Sequence, residues 1–163
     1  MKKGDIILVH SRFDPVAWLI RKATHSYWNH VAICIDNNNL LEVRGRCISI
    51  SSCRKYIYND KFYDYKIVRL KNISTKNIRK AVDYMIEINE KGYFKWLRAC
   101  LMSFFDSKRV FPRRTCSGLI AEAFHTVGFD FRRDKLPHKI TPADIDNNSK
   151  TMNITGKELY RVR

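Results

Sequence analysis

Apolar residues in this chain fall first into short strand-like runs and later into helical spacing. Ile6 to His10 is a run directly after Gly4-Asp5 and predicts a strand. Asp14-Pro15 reads as a helix cap with proline at the first helical position, and Val16 to Ala23 is the helix it starts. Trp28 to Ile35 predicts a second strand. Asp36-Asn37-Asn38-Asn39 is a turn, because Asn and Asp tolerate positive φ, and Leu40 to Arg44 is the returning strand. Cys47 to Ser51 alternates and predicts a third strand beside them. Tyr63 to Leu70 is a further strand, with Tyr63, Tyr65, Ile67 and Arg69 on one face and Asp64, Lys66, Val68 and Leu70 on the other.

The second half is helical. Ser74 or Thr75 caps a helix carrying Ile78, Val82, Met85, Ile86 and Ile88, which Gly92 interrupts. Tyr93 to Phe105 is apolar and aromatic, a second helical segment or a packed loop. Thr115 is a good N-cap for a helix that places Leu119, Ile120 and Ala123 on one face and stops near Gly128. Thr141-Pro142-Ala143-Asp144-Ile145 reads as a capped single turn, and Glu158 to Val162 as a strand closing a sheet edge. The sum is an α+β fold, an antiparallel sheet with helices packed on it.

At 163 residues the chain is expected to form a single domain over 1–163, with no linker, repeat or low-complexity segment. No apolar run reaches the roughly 18 residues that span a bilayer. The start, Met-Lys-Lys-Gly-Asp-Ile-Ile, opens like a signal peptide but has an early aspartate and no long apolar stretch, so a cytoplasmic location is expected. The five cysteines are odd in number and include no C-x-x-C pair, which argues against a disulfide framework or a zinc ribbon. No metal and no cofactor is therefore expected. Cys34 and Cys100 sit in apolar runs and read as buried hydrophobes.

The net charge of +15, from 31 basic and 16 acidic residues, suits a polyanion such as nucleic acid, an anionic membrane surface or an acidic glycopolymer. A plainer reading is a solvated basic surface, since the charges are spread along the chain. The competing functional class is a basic module binding nucleic acid or an anionic surface on an inactive scaffold. No nucleic-acid motif is present, and nothing places the eight tyrosines on one strand face as stacking platforms.

Chemistry concentrates at Cys116. In the first turn of its helix, the dipole and free amides favour thiolate over thiol, and Lys108, Arg109, Arg113 and Arg114 push the same way. Such a nucleophile needs a base. His125 lies nine residues on along the same helix and points away. His138 sits in a basic loop, His10 ends the first strand, and His25 is placed to cap the first helix. His30 opens a strand in which His30, Ala32 and Cys34 share a face whose small residues leave room for another element. If Asp36 to Asn38 form a three-residue loop, Ala32 sits opposite Glu42, and Glu42 lies diagonal to His30 on the same face. A slip of one residue would turn Glu42 away. Taken alone, Cys116 is more often a buried helix residue, His30 a satisfied strand histidine and Glu42 a surface charge.

The order Gly4-Asp5-Ile6-Ile7, Asn29-His30-Val31-Ala32-Ile33, Leu41-Glu42-Val43 and Cys116-Ser117-Gly118-Leu119-Ile120 resembles the circularly permuted NlpC-like hydrolases. These are papain-fold cysteine enzymes that include YiiX-like proteins and the lecithin–retinol acyltransferase group. In the unpermuted arrangement the cysteine helix precedes the histidine strand. The resemblance spans nearly the whole chain. It implies a permuted papain-like fold with Cys116 as nucleophile, His30 as general base and Glu42 orienting it. Gly92-Tyr93 resembles the Gly-x-x-Tyr element before the nucleophile helix, which implies that Tyr93 lines the site. Thr141 to Ile145 resembles a terminal structural turn of YiiX-like members. Thr115 stands where unpermuted enzymes often carry aspartate. The expected substrate is an amide or ester, a cell-wall peptide or a lipid. The basic residues, Arg113 and Arg114 among them, favour an anionic one, with no nucleic acid required.

Overall fold

The computed structural model describes residues 1–44, 47–102 and 115–155, with side chains for all of these but 44, 47 and 89–102. Six strands form one antiparallel sheet: β1 (Ile6–Ser11), β2 (His30–Cys34), β3 (Asn39–Arg44), β4 (Cys47–Ser52), β5 (Tyr63–Leu70) and β6 (Thr151–Asn153). Their spatial order is β4-β3-β2-β1-β5-β6, with β1 and β2 at the centre. The helices are α1 (Pro15–Thr24), α2 (Arg54–Ile57), α3 (Thr75–Met102), α4 (Cys116–His125) and α5 (Pro142–Asp146), with a 3₁₀ turn at Pro137–Lys139.

An antiparallel sheet often leaves one face to water, but consecutive apolar residues in β1 require cover on both sides. Ile6 and Leu8 point into a core shared with Val31, Ile33, Leu41 and Val68. There they meet Ala81, Val82 and Met85 of α3 and Leu119, Ile120, Ala123 and Phe124 of α4. Ile7 and Val9 point the other way, into a smaller core with Ala32, Cys34, Leu40 and Ile67, closed by Met1, Cys53, Tyr56, Ile57 and Ile154. The alternation read from β5 holds: Ile67 joins the second core, Val68 and Leu70 the first.

Local signals set most boundaries. Asp14 accepts from the amides of Val16 and Ala17, with Pro15 at the helix start, and His25 closes α1 in the left-handed conformation at φ 49°. The Asp36 carboxylate accepts from the amides of Asn38 and Asn39, both at 2.8 Å, an Asx turn that fixes the loop length. Asp5 is buried and holds Arg69 at 2.7 Å and 2.9 Å through two nitrogens while accepting from the Lys2 amide at 2.6 Å, which ties the N-terminal turn to β5.

Some expectations change. α3 runs unbroken through Gly92, because an interior glycine costs only about 1 kcal/mol relative to alanine and the neighbouring residues sustain the helix. Residues 103–105 of the expected apolar segment, the side chain of Cys100 and the Glu158 to Val162 strand lie outside the described residues. The edge beyond β5 is formed by Thr151–Asn153. Trp18, on α1, is exposed.

Candidate active site

The site is assembled where one helix and two strands begin or cross. α4 starts at Cys116. The Thr115 hydroxyl accepts from the Gly118 amide at 3.0 Å, as an N-cap should. Ser117 is buried and donates to the Ile140 carbonyl at 2.6 Å, which pins the helix start to the segment after the 3₁₀ turn. Leu119, Ile120, Ala123 and Phe124 bury the helix against Val31, Ile33 and Leu41 of the sheet. The start of α4 is thereby fixed over the start of β2.

Gly118 permits this approach. A Cβ there would stand 2.7 Å from the Thr115 hydroxyl oxygen and 3.2 Å from both Cα and O of His138. Gly118→Ala therefore displaces either the cap or the 3₁₀ turn. The expected outcome is a loss of about 1–3 kcal/mol in a denaturant melt, with slower reaction of Cys116 toward a thiol reagent.

Histidine and carboxylate come from the hairpin. The three-residue loop pairs Ala32 with Glu42 and Ile33 with Leu41. Glu42 is then diagonal to His30, and its Oε2 lies 2.7 Å from His30 Nε2. The Glu42 side chain is fully buried, while that of His30 is 17% exposed. The Tyr56 hydroxyl donates to the same Oε2 at 2.5 Å. Asn29, also buried, accepts from the Ser11 amide at 2.7 Å and holds the first turn of chain before His30.

Cys116 reaches the same imidazole. With Nε2 engaged by the carboxylate, Nδ1 is the ring nitrogen left for the sulfur. Burial alone would lower the His30 pKa, but hydrogen bonds to Cys116 and Glu42 and the charges of both outweigh it and raise it to about 9. Burial alone would raise the Cys116 pKa. The hydrogen bond and charge of His30, with backbone amides of Val31 and Ser117, bring it below the usual thiol range. Burial also opposes ionisation of Glu42, yet hydrogen bonds from His30 and Tyr56 hold it down at about 2. All three directions favour one state: thiolate, imidazolium, carboxylate.

The small-residue face of β2 does not receive the cysteine helix. Tyr56, Cys53, Met1 and Ile57 cover it, and α4 packs on the opposite face over Val31 and Ile33. His30 is the first residue of β2, at the sheet margin. Glu42 and Tyr56 reach its ring from one layer and Cys116 from the other.

The remaining candidates separate. His125 is exposed and shares a 2.6 Å hydrogen bond with Asp130. His10 Nδ1 meets the Tyr27 carbonyl at 2.8 Å. Tyr93 belongs to α3, but its side chain, like Arg113 and Arg114 entirely, lies outside the described residues. Tyr56 was not foreseen. It sits on a four-residue helix too short for any periodicity, and no spacing rule links it to Glu42.

Comparison with known proteins agrees with this fold. A crystal structure described as metalloprotein yiiX from Escherichia coli O157:H7 superposes with a TM-score of 0.64 at 13% identity, covering 94% of this chain and 96% of that one. At that identity the likeness speaks for the fold. No curated protein matches the sequence. A family model described as permuted papain-like amidase enzyme, YaeF/YiiX, C92 family, matches residues 1–161. The chain thus belongs to the permuted papain-like amidases of the YaeF/YiiX, C92 family, and is a cysteine-type hydrolase.

Proposed function

We propose that Cys116, His30 and Glu42 act as a catalytic triad that cleaves an amide through an acyl-enzyme. One observation carries this reading: the imidazole that the buried Glu42 carboxylate holds at 2.7 Å is the one whose charge favours the Cys116 thiolate at the start of α4.

The Cys116 thiolate attacks the carbonyl carbon, and the carbonyl π pair moves onto oxygen. The Cys116 backbone amide, at the positive end of α4, is placed to donate to that oxyanion. As the tetrahedral species collapses, the C–N bond breaks and the His30 imidazolium gives its Nδ1 proton to the leaving amine. A water then attacks the thioester. His30 takes a proton from it, the C–S bond breaks, and Cys116 leaves as thiolate. Glu42 remains ionised throughout, holds the ring and stabilises its charged form, while Tyr56 holds Glu42.

The E. coli neighbour is described as a metalloprotein. Among the described residues of this chain, no three His, Cys, Asp or Glu side chains are grouped to hold a metal ion. Nε2 of His30 is, moreover, committed to Glu42. These residues do not fit a metal, and the scheme uses none.

An activity-based thiol probe tests the reading. Cys116 is expected to be labelled selectively over the other four cysteines, with labelling suppressed in His30→Ala. Equal labelling of several cysteines, unchanged by His30→Ala, would overturn it.

A further inference from the structure

α1 is built inside out. Val16, Leu19, Ile20 and Ala23 fall at i, i+3, i+4 and i+7, a single apolar stripe. In a helix that stabilises a core this stripe is buried. Here Val16 is 62% exposed, Leu19 61% and Ile20 38%, and Ala17 is the one buried residue of the helix. The helix is held to the body from its other side. Arg21 donates through Nη1 to the Ser11 carbonyl at 2.9 Å and to the Asn29 side chain at 3.4 Å.

The surroundings extend the stripe. Phe13, in the loop before α1, is 73% exposed and meets exposed Phe62 edge to face at 6.2 Å. Trp18 is half exposed with the Lys22 ammonium 4.5 Å from its ring centroid, and Lys61 lies 5.8 Å from the Phe62 ring centroid. Two of the acids nearby are already engaged, while Asp60, beside Lys61, is exposed. Asp14 caps α1, and Asp64 holds Arg12 and Tyr27. An exposed apolar stripe flanked by Lys22, with exposed Phe13 just ahead of it in the chain, is the chemistry of a helix lying in a lipid–water interface. The net charge of +15 adds long-range attraction to an anionic surface.

We propose that α1 and Phe13 dock the protein on anionic lipid bilayers, apolar stripe inward. The position has a consequence for the site. Asn29, which Arg21 holds, immediately precedes His30. Docking therefore brings the His30 end of β2 toward the interface. The inference concerns where the protein sits, and it stands independently of the roles proposed for Cys116 and His30.

Co-sedimentation of the full chain with vesicles tests it. Phosphatidylcholine vesicles with about 30% phosphatidylglycerol should retain the protein, and pure phosphatidylcholine much less, as charge attraction requires. Leu19→Gln and Phe13→Ser should each lower partitioning about tenfold, roughly the effect of removing one inserted large apolar side chain. Both positions are exposed, so melting temperature and probe labelling of Cys116 without vesicles should stay unchanged. Three results would overturn the proposal. The wild-type chain could stay in the supernatant with anionic vesicles. Both variants could bind as tightly as wild type. Or sedimentation equilibrium could show a dimer that Leu19→Gln dissociates, which would assign the face to a second copy.

Discussion

With an activated ester as reporter substrate, Cys116→Ala is expected to lose all enzyme-dependent turnover, and His30→Ala to lose about 10²–10⁴-fold in kcat/KM. The second figure is the usual worth of a positioned acid–base group. The two losses should not multiply. Without His30, the thiolate loses both its hydrogen-bond partner and the charge that sustains it. Without Cys116 no acyl-enzyme forms on which His30 can act, so the double variant should resemble Cys116→Ala alone. Glu42→Gln keeps an oxygen opposite His30 Nε2 while removing the charge, and should lose less than His30→Ala.

The pH dependence follows from the same geometry. His30 is raised from an ordinary 6.5 to about 9, so its contribution to stability is complete below 6.5 and lost as pH climbs through about 9. Glu42 is lowered from 4.5 to about 2, so its contribution is complete above 4.5 and lost as pH falls through about 2. Cys116, being lowered, needs a proton removed before the ion pair exists. Turnover of the reporter should therefore be bell-shaped, with its alkaline limb near pH 9.

The largest effect on stability is expected away from the reacting atoms. Phe124→Ala should destabilise the fold by about 3–5 kcal/mol, the range for truncating a buried aromatic. Phe124 is fully buried on the sheet-facing side of α4. Its ring centroid lies 5.9 Å from those of both Phe129 and Phe131, which are 5.2 Å from each other, all in edge-on contact. Truncation removes one corner of this triangle and leaves a void between α4 and the sheet, into which rings packed edge to face cannot readily collapse. A chain of this length should show a drop of roughly 10 °C in Tm. Phe124→Leu leaves most of the volume filled and should lose less than half as much. Because Phe124 lies two helical turns from Cys116, probe labelling well below the melt should persist.

Much of the site was legible because it rests on short-range rules. A run of apolar residues after Gly4-Asp5, a turn of Asp and Asn, and a threonine before Cys116 each specify local geometry. The Asx turn at Asp36 counts the loop residues, and that count alone decides that Glu42 faces His30. The N-caps Asp14, Thr115 and Thr141 were readable for the same reason.

What escaped depends on tertiary packing. Both faces of β2 are apolar, Val31 and Ile33 on one and Ala32 and Cys34 on the other, so side-chain size did not say which element each face would receive. Tyr56 reaches Glu42 from a helix of four residues, and Thr151–Asn153 is a three-residue strand that follows β5 only because β5 offers an open edge. The outward stripe of α1 carries the periodicity of a core helix, and only the exposure of Val16 and Leu19 distinguishes it.

The thiolate–imidazolium pair is read most directly by the alkylation rate of Cys116 against pH, followed by mass spectrometry of the labelled peptide in wild type and His30→Ala. In wild type the rate should rise with a midpoint below the ordinary thiol range and stay high up to the pH where His30 loses its proton. In His30→Ala the midpoint should move upward toward that of an ordinary thiol. The same midpoint in both proteins would contradict the pairing of Cys116 with His30.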